Sequence, residues 1–297
     1  METAYLHSFL LVVESGSMSE AARRLHLTPA AVAQQVRALE RELGAGLLAR
    51  AGRTVQPTAA GHLLVQRGRS LLREVGDIKA LLGSDPAGGE LLVGTINTAL
   101  HSLLPDILAR FVRTRAGVRT FLRSDTTAAL YKAVQQGELD AAVCLYPPFA
   151  LAKTFDWTLL REEPLVLLAP RRQARRDPHE LLRTSPLIRY DRSLGGGRQA
   201  DRYLRTAGIV PEERFELSSL LAIAMMVDRG LGVSLVPDIA SPLLEGQRVA
   251  KIALPLPSEP RRFGVLWLRS SARLALIRDF VASAEAVVAA RAAARDP

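Results

Sequence analysis

The sequence of 297 residues contains one cysteine, Cys144, and only 5% aromatic residues. A lone cysteine excludes an internal disulfide. The five histidines, at positions 7, 26, 62, 101 and 179, form no HxxxH motif, and no CxxC pair is present. Both missing motifs have spacings typical of metal sites. The sequence therefore predicts no metal, no cofactor and no thiol redox chemistry.

Long apolar runs are absent as well. The N-terminus lacks the basic region, apolar stretch and cleavage site of a signal peptide, and runs such as PLVLLAP at 164–170 are too short to span a bilayer. We therefore expect a cytoplasmic protein without membrane association. The sequence also contains no GxSxG motif, no P-loop and no paired Cys and His, which argues against an enzyme.

Apolar residues make up 48% of the chain and charged residues 23%, enough material for real hydrophobic cores. The formal charge of +9 is concentrated near the N-terminus: residues 20–73 hold nine Lys or Arg against three acidic residues, an excess of six positive charges. Such an excess is typical of polyanion binding, and equally of a solvated basic face.

Residues 1–58 have the pattern of a winged helix-turn-helix. The stretch TPAAVAQQVRALEREL at 28–43 begins with a capping Thr and a first-turn Pro. Its apolar positions Val32, Val36, Leu39 and Leu43 fall on one stripe, and Leu27 precedes it as the buried turn residue. The opposite side would face a major groove and comprises Thr28, Pro29, Ala30, Ala33, Gln34 and Arg37.

The residue types on that side suit DNA. Gln34 can contact base edges or phosphates, Pro29 and Ala30 can touch thymine methyls, and Arg37 can reach phosphates. Residues 44–58 then read as a small β-turn unit, a wing with Arg50 and Arg53 at its tip. A helical hairpin with a polar exterior is the alternative interpretation of the same pattern.

Residues 59–89 are predicted to form a linker and dimerisation helix followed by a hinge. Leu64, Leu71, Val75, Ile78 and Leu82 make a seam in coiled-coil register, and GSDPAGG at 83–89 breaks the helix. A homodimer formed through this seam would supply the two-fold symmetry of paired DNA half-sites. Packing of the seam on the same chain remains the alternative.

The remainder, 90–297, alternates strands and helices, which favours βαβ units on parallel sheets. We expect a two-lobed α/β effector domain with lobe I at about 90–162 and 267–297 and lobe II at about 163–266. Ligands of open α/β sheets bind beyond the strand ends. The predicted effector-binding residues there are Asn97, Thr98, Ser124, Thr126, Thr127, Tyr190, Arg198 and Ser218.

The sequence resembles the LysR-type transcriptional regulators over essentially its whole length. The resemblance is strongest in FLLVVESGSMSEAARRLHLTPAAVAQQVRALERELGAGLLARAGRTVQPTAAG, and RFELSSLLAIAMMVDRGLGVSLVP is similar to the family's effector domain. It implies a winged helix-turn-helix, a long linker helix and an effector domain similar to type 2 periplasmic binding proteins. It also implies a homotetramer built from dimers, a dyad-symmetric operator in double-stranded DNA, and a small-molecule inducer between the lobes.

Carried over to this chain, the family's base-facing positions fall on Pro29, Ala30, Ala33 and Gln34, and its wing arginines on Arg50 and Arg53. Ala33 and Gln34 stand where many members have Ser and Arg, so DNA affinity is expected to depend more on Arg37 and the wing. Hydroxyls and arginines near the helix ends favour an anionic effector. The competing hypothesis is a cytoplasmic solute-binding protein or α/β enzyme whose helical segment only dimerises.

Overall fold

The structure is a computed structural model that describes residues 1–51, 54–82, 89–239, 241 and 246–293. The chain divides into two compact units. The first comprises Met1–Gly89 with Gln135–Glu138, and the second comprises Glu90–Val134 with Leu139–Pro297. Each unit has hydrophobic clusters of its own.

The first unit is a bundle of three short helices followed by a hairpin and a long helix. Its elements are α1 (Thr3–Ser15), α2 (Met18–Leu25), α3 (Pro29–Leu43), β1 (Leu48–Ala51), β2 (Thr54–Pro57) and α4 (Ala59–Leu82). The core joins the inner faces of the first three helices, with Phe9, Ala21 and Leu39 buried among them. Small residues on α2, at Ala21 and Ala22, let it lie close against its neighbours.

Local sequence signals set the helix boundaries in this unit. Gly16 ends α1 and Gly44 ends α3, each in the left-handed conformation with φ 65°, which costs glycine little. Ser17 caps α2 by accepting from the Glu20 N–H at 3.4 Å. Thr28 caps α3 by accepting from the Ala31 N–H at 3.2 Å. The cap predicted at Thr28 is therefore confirmed.

Two of the expected core positions are wrong. Leu27 is 41% exposed and Leu43 is 43% exposed. Leu43 lies in the last turn of α3, where the helix has passed the helices it packs on, and Leu27 lies in the turn itself. The apolar stripe that holds α3 against the core is therefore shorter than expected and consists of the buried Val32, Val36 and Leu39.

The helix α4 runs over the predicted length, but its seam divides into two parts. Leu64 packs against the core of the first unit. Leu71 is 38% exposed and Ile78 is 53% exposed. In the described part of the first unit, no neighbour shields either side chain from water. A seam residue of a coiled coil needs a partner helix that does so.

The second unit consists of two lobes, each built on a sheet. Lobe I holds a five-stranded sheet in the order β4-β3-β5-β12-β6. Its elements are β3 (Gly89–Thr95), α5 (Asn97–Leu100), α6 (Leu104–Thr114), β4 (Val118–Ser124), α7 (Thr127–Gln135), β5 (Ala141–Leu145), β6 (Phe155–Glu163), β12 (Arg261–Leu268) and α11 (Leu274–Ala293). The last helix packs on α6 through an edge-to-face pair of Phe111 and Phe280, whose ring centroids are 5.6 Å apart.

Lobe II contains a three-stranded sheet in the order β10-β7-β11 and a parallel pair of strands, β8 and β9. A β-bridge between Leu187 of the pair and Val233, which directly precedes β10, connects the two. Its elements are β7 (Leu165–Pro170), α8 (Pro178–Thr184), β8 (Leu187–Tyr190), α9 (Gly195–Ala207), β9 (Glu213–Leu217), α10 (Leu220–Asp228), β10 (Ser234–Pro237) and β11 (Val249–Ala253). The strand β7 is buried along its whole length, which accounts for the apolar run that the sequence shows.

Two crossovers join the lobes. The first passes from β6 to β7 at Pro164, and the second runs through 254–260 between β11 and β12. The expected return to lobe I at about residue 267 is therefore too late, because Val265 already lies inside β12 and pairs with strands of lobe I. The sheets are also mixed, not parallel throughout: β12 is antiparallel to β5 and β6, and β7 is antiparallel to β10 and β11.

Candidate DNA-binding surface and interlobe pocket

The face of α3 turned away from the core carries the residues predicted to meet DNA. Thr28, Pro29, Ala30, Gln34 and Arg37 are exposed, and Ala33 is half-buried. Because Val32 and Val36 are buried on the other side, the helix periodicity directs this face outward. The structure thus brings six of the eight predicted DNA-binding residues onto one surface.

Two successive glutamines on α3 have different roles. Gln35 accepts a hydrogen bond from the Ser8 hydroxyl of α1, so its amide belongs to the packing between the two helices. Gln34 is exposed and has no hydrogen-bond partner within the described residues. Its amide can both donate to and accept from a base edge.

The exposed arginines of the helical bundle also differ. Arg23 and Arg24 on α2 form ion pairs with Glu20 at 2.8 and 3.2 Å, and Arg24 also reaches Glu14 at 3.1 Å. Arg37 on α3 has no ion-pair partner in the part of the chain that the structure describes. Its guanidinium therefore offers all its donors to a polyanion without first breaking an internal pair.

The wing follows α3 directly. The strands β1 and β2 pair antiparallel, with Arg50 opposite Val55. Glu40 on α3 fixes the start of the hairpin, because its carboxylate accepts from the N–H groups of Leu47 at 2.7 Å and Leu48 at 3.2 Å. The predicted Arg53 lies outside the described residues.

A pocket of about 150 Å³ lies between the two lobes of the second unit. This volume is close to that of an engineered protein cavity that holds benzene. Of the predicted effector-binding residues, Asn97, Thr98 and Ser218 line it. The other lining residues, which are not among the predicted effector-binding residues, are His101, Ser219, Leu220, Leu221, Ile239 and Ser241.

Hydrogen bonds within the wall orient the polar side chains of this pocket, and they leave the Asn97 amide as a donor. The Ser124 hydroxyl donates to the Asn97 Oδ1 at 2.7 Å, so the amide nitrogen of Asn97 keeps both of its protons for another partner. Ser124 does not line the pocket, and its role in this geometry is to orient Asn97. The Ser241 hydroxyl donates to the His101 carbonyl at 2.5 Å.

The helix α10 begins at the pocket and adds backbone donors. Ser219 caps it by accepting from the Ala222 N–H at 3.2 Å. The first two N–H groups of the helix, on Leu220 and Leu221, have no acceptor among the described residues. Free N–H groups and the positive end of the helix dipole both favour a negatively charged ligand.

Besides Ser124, four predicted residues lie outside the lining: Thr126, Thr127, Arg198 and Tyr190. Thr126 caps the start of α7 by accepting from the Ala129 N–H at 3.3 Å, and Thr127 accepts from the Leu145 N–H at 3.3 Å. The exposed Arg198 donates to the backbone carbonyl of Ser193. Each of these three side chains is hydrogen-bonded to the backbone.

Tyr190 is buried at the end of β8 and also lies outside the lining. The guanidinium of Arg261 lies near its hydroxyl. Burial raises the pKa of the Tyr190 hydroxyl above its usual value, and the nearby guanidinium of Arg261 offsets part of that rise. Tyr190 therefore stays neutral at physiological pH and serves as a contact between lobe II and β12.

The described residues hold no cluster of His, Cys, Asp or Glu suited to a metal ion. Within the same residues, no helix is long and apolar enough to cross a membrane. Cys144 is buried in β5, and burial raises the pKa of its thiol to about 12. These features leave the outer face of α3 and the interlobe pocket as the two sites of interest.

A winged helix-turn-helix joined to a two-lobed α/β domain defines a class of ligand-binding regulators of transcription. Family models agree with this class in both parts of the chain. Residues 4–62 match the bacterial regulatory helix-turn-helix protein, lysR family, and residues 84–289 match the LysR substrate binding domain. The chain belongs to the LysR family and is a DNA-binding transcriptional regulator with a substrate-binding domain.

Individual relatives agree. The chain is 30% identical over 242 residues to the HTH-type transcriptional regulator CzcR of Bacillus cereus, covering 81% of each chain. It is 27% identical to AlsR of Bacillus subtilis (strain 168), covering 82% of each. The family is one of transcriptional regulators, so neither the solute-binding nor the enzyme hypothesis is favoured.

Solved structures share the fold along nearly the whole chain. A full-length variant of OxyR from Pseudomonas aeruginosa superposes with a TM-score of 0.68 at 24% identity, covering 96% of this chain and 94% of that one. Full-length CbnR, solved in complex with its target DNA, superposes with a TM-score of 0.66 at 24% identity, covering 97% and 100%. The predicted fold class is therefore confirmed.

Proposed function

We propose that this regulator reads a dyad-symmetric operator through the outer face of α3 and through its wing. The observation that carries the proposal is the exposed surface of Thr28, Pro29, Ala30 and Gln34 beside Arg37, which forms no ion pair with any described residue. Arg50 and Arg53 are proposed to add backbone contacts from the wing, and Ala33 to allow close approach. CbnR, a structural neighbour, was solved with its target DNA.

The side chains on this surface are short and mostly uncharged, so we propose readout mainly by apolar contact and groove shape. Pro29 and Ala30 would touch thymine methyl groups, and Gln34 would make the polar base contact. The arginines would then supply affinity and little sequence information.

A footprint of the purified protein on the DNA upstream of its own coding region tests this proposal. We expect two protected half-sites related by a dyad, with binding that weakens steeply as salt rises. Equal affinity for that region and for random DNA of the same length would contradict it. Gln34→Ala should relax specificity in the footprint while leaving binding to random DNA nearly unchanged.

We further propose that a small-molecule effector, with an anionic group, binds in the interlobe pocket. Asn97, Thr98 and Ser218 would contact it, and Ser124 would hold Asn97 in place. The donors supplied by Asn97 and by the start of α10 support an anion. Binding would change the relative closure of the lobes and thereby the arrangement of the bound DNA.

Replacing Thr98 with Ala is expected to abolish the effect of an active metabolite fraction on the footprint and to leave DNA binding intact. Thr126→Ala is the matched control, since Thr126 has the same side chain and lies outside the pocket lining. Loss of the response in both variants, or in neither, would argue against this pocket as the effector site.

We also propose that the protein acts in the cytoplasm as a homodimer formed through α4 and as a homotetramer made of two such dimers. Leu71 and Ile78 remain exposed on α4, as residues that meet a partner helix would be. A second surface is available on β4, the edge strand of its sheet, where Phe121 and Leu122 are about half exposed. The proposed domain division is 1–58, 59–89 and 90–297.

A further inference from the structure

A buried charge cluster lies where the crossover strands of the second unit meet. Glu163, at the end of β6, is 0% exposed and stands opposite Arg261 in β12. Its carboxylate accepts from the Arg161 Nε at 2.7 Å and, through its other oxygen, from the Arg261 Nε. Two guanidinium groups share one carboxylate, so the cluster itself carries one positive charge in excess.

The two arginines differ in what else they contact. Arg161 donates from its terminal nitrogen to the Ser102 hydroxyl at 3.4 Å, and Ser102 does not line the pocket. Arg261 donates from its terminal nitrogen to the Thr98 hydroxyl at 3.3 Å, and Thr98 does line the pocket. Of the two arginines, only Arg261 therefore donates to a side chain that lines the pocket.

This contact determines how the Thr98 hydroxyl can be used. A threonine hydroxyl has one proton and can accept through its oxygen. Because a guanidinium can only donate, the Thr98 oxygen must act as the acceptor toward Arg261. Thr98 is 6% exposed, and its proton has no acceptor among the residues that the structure describes. The proton is thus available to a ligand in the pocket.

The guanidinium is itself held in place on several sides. Arg261 is 9% exposed, donates to Glu163 and Thr98 of lobe I, and lies near Tyr190 of lobe II. A charge held in a dry site by two hydrogen-bond partners reorganises little when a ligand arrives. Its electrostatic effect on the pocket is stronger than that of a solvated arginine at the same distance.

We infer that Arg261 is a positioning residue for the interlobe pocket: acting through Thr98, it makes the pocket select a compact oxyanion over the neutral isostere of that anion. This rests on the proposed function, in which the pocket binds the effector. The pocket volume of about 150 Å³ limits the ligand to roughly the size of benzene plus its charged group. Carboxylates and phosphates share the required chemistry.

Binding of matched probes to the full-length protein tests the inference. The probes are isobutyrate and benzoate, their amides isobutyramide and benzamide, and inorganic phosphate, measured by calorimetry at constant ionic strength. We expect the wild type to prefer each carboxylate over its amide by about tenfold, the difference between a charge-assisted and a neutral hydrogen bond. Phosphate binding instead of carboxylate binding would identify the phosphate class as the source of the oxyanion.

Three variants separate positioning from folding. Arg261→Gln should lose the carboxylate preference, and Arg261→Lys should retain most of it because it keeps the charge. Arg161→Gln is the matched control, since it removes a guanidinium from the same carboxylate and should leave the preference unchanged. Melting temperatures of all three report any general loss of stability.

Several results would overturn the inference. These are equal affinity for amides and carboxylates, loss of preference in Arg161→Gln as well as Arg261→Gln, no difference between the lysine and glutamine variants, or no binding by any probe. The proposed function fails separately, if no metabolite fraction alters the footprint of the wild type. A neutral metabolite that did alter it would refute the role of Arg261 and leave the regulator function standing.

Discussion

Replacing Arg37 with Gln tests the DNA-binding surface most directly, because the chain offers a matched control. Arg37 and Arg23 are both exposed arginines of the helical bundle, on α3 and α2. Arg23 is bound to Glu20 at 2.8 Å, whereas Arg37 has no ion-pair partner among the described residues. Either substitution removes one positive charge, so net charge changes equally.

The expected difference lies in the salt dependence of binding. Each phosphate contact adds about 0.9 to the slope of log affinity against log salt, so losing one contact per subunit lowers the slope of a dimer by about 1.8. Between 50 and 200 mM salt, the affinity of the wild type should then fall about twelvefold more than that of Arg37→Gln. Arg23→Gln should follow the wild-type slope closely.

Fluorescence anisotropy with labelled operator DNA at four or five salt concentrations gives these slopes. A random duplex of equal length should show the same change, because a phosphate contact carries no sequence information. Identical slopes for the wild type and Arg37→Gln, or an equal decrease for Arg23→Gln, would refute the assignment of Arg37 to the phosphate backbone.

Three further predictions concern the scaffold. With the pKa of Cys144 at about 12, about one thiol in ten thousand is ionised at pH 8. Iodoacetamide should therefore label only the unfolded protein, and rapid labelling of the native protein would contradict this. Leu39→Ala should lower the free energy of unfolding by about 2–5 kcal/mol and Leu43→Ala by less than about 0.5 kcal/mol in urea titrations, and equal losses would disprove the shorter stripe. The double substitution of Leu71 and Ile78 by Glu should shift sedimentation toward the monomer, and an unchanged oligomer would exclude this face of α4.

Local chemistry in the sequence was enough to predict the helical part of the first unit. Gly16, Ser17, Thr28 and Gly44 act through bonds to residues at most a few positions away, so each signal is complete within a short segment. The amphipathic pattern of α3 likewise determines which face is buried. These features explain why the outer face of α3 could be predicted from the sequence.

Burial at the ends of elements and strand direction in the second unit depended on tertiary structure. Leu43 continues the apolar period of α3, yet it extends beyond the helices that would cover it and is 43% exposed. In the sequence, the strand β12 reads like any other apolar strand. Only its pairing with β5 and β6 moves the lobe boundary and makes the sheet mixed.

The sequence by itself determined the helix-turn-helix, its outer face, and the polar turns of Asn97, Thr98 and Ser218, because those signals are local. Only the tertiary structure decided which hydroxyls converge on one pocket and which merely cap helices. It alone joined Glu163 and Arg261, 98 residues apart in the chain, behind Thr98. Strand pairing sets such a contact, and no spacing within the sequence encodes it.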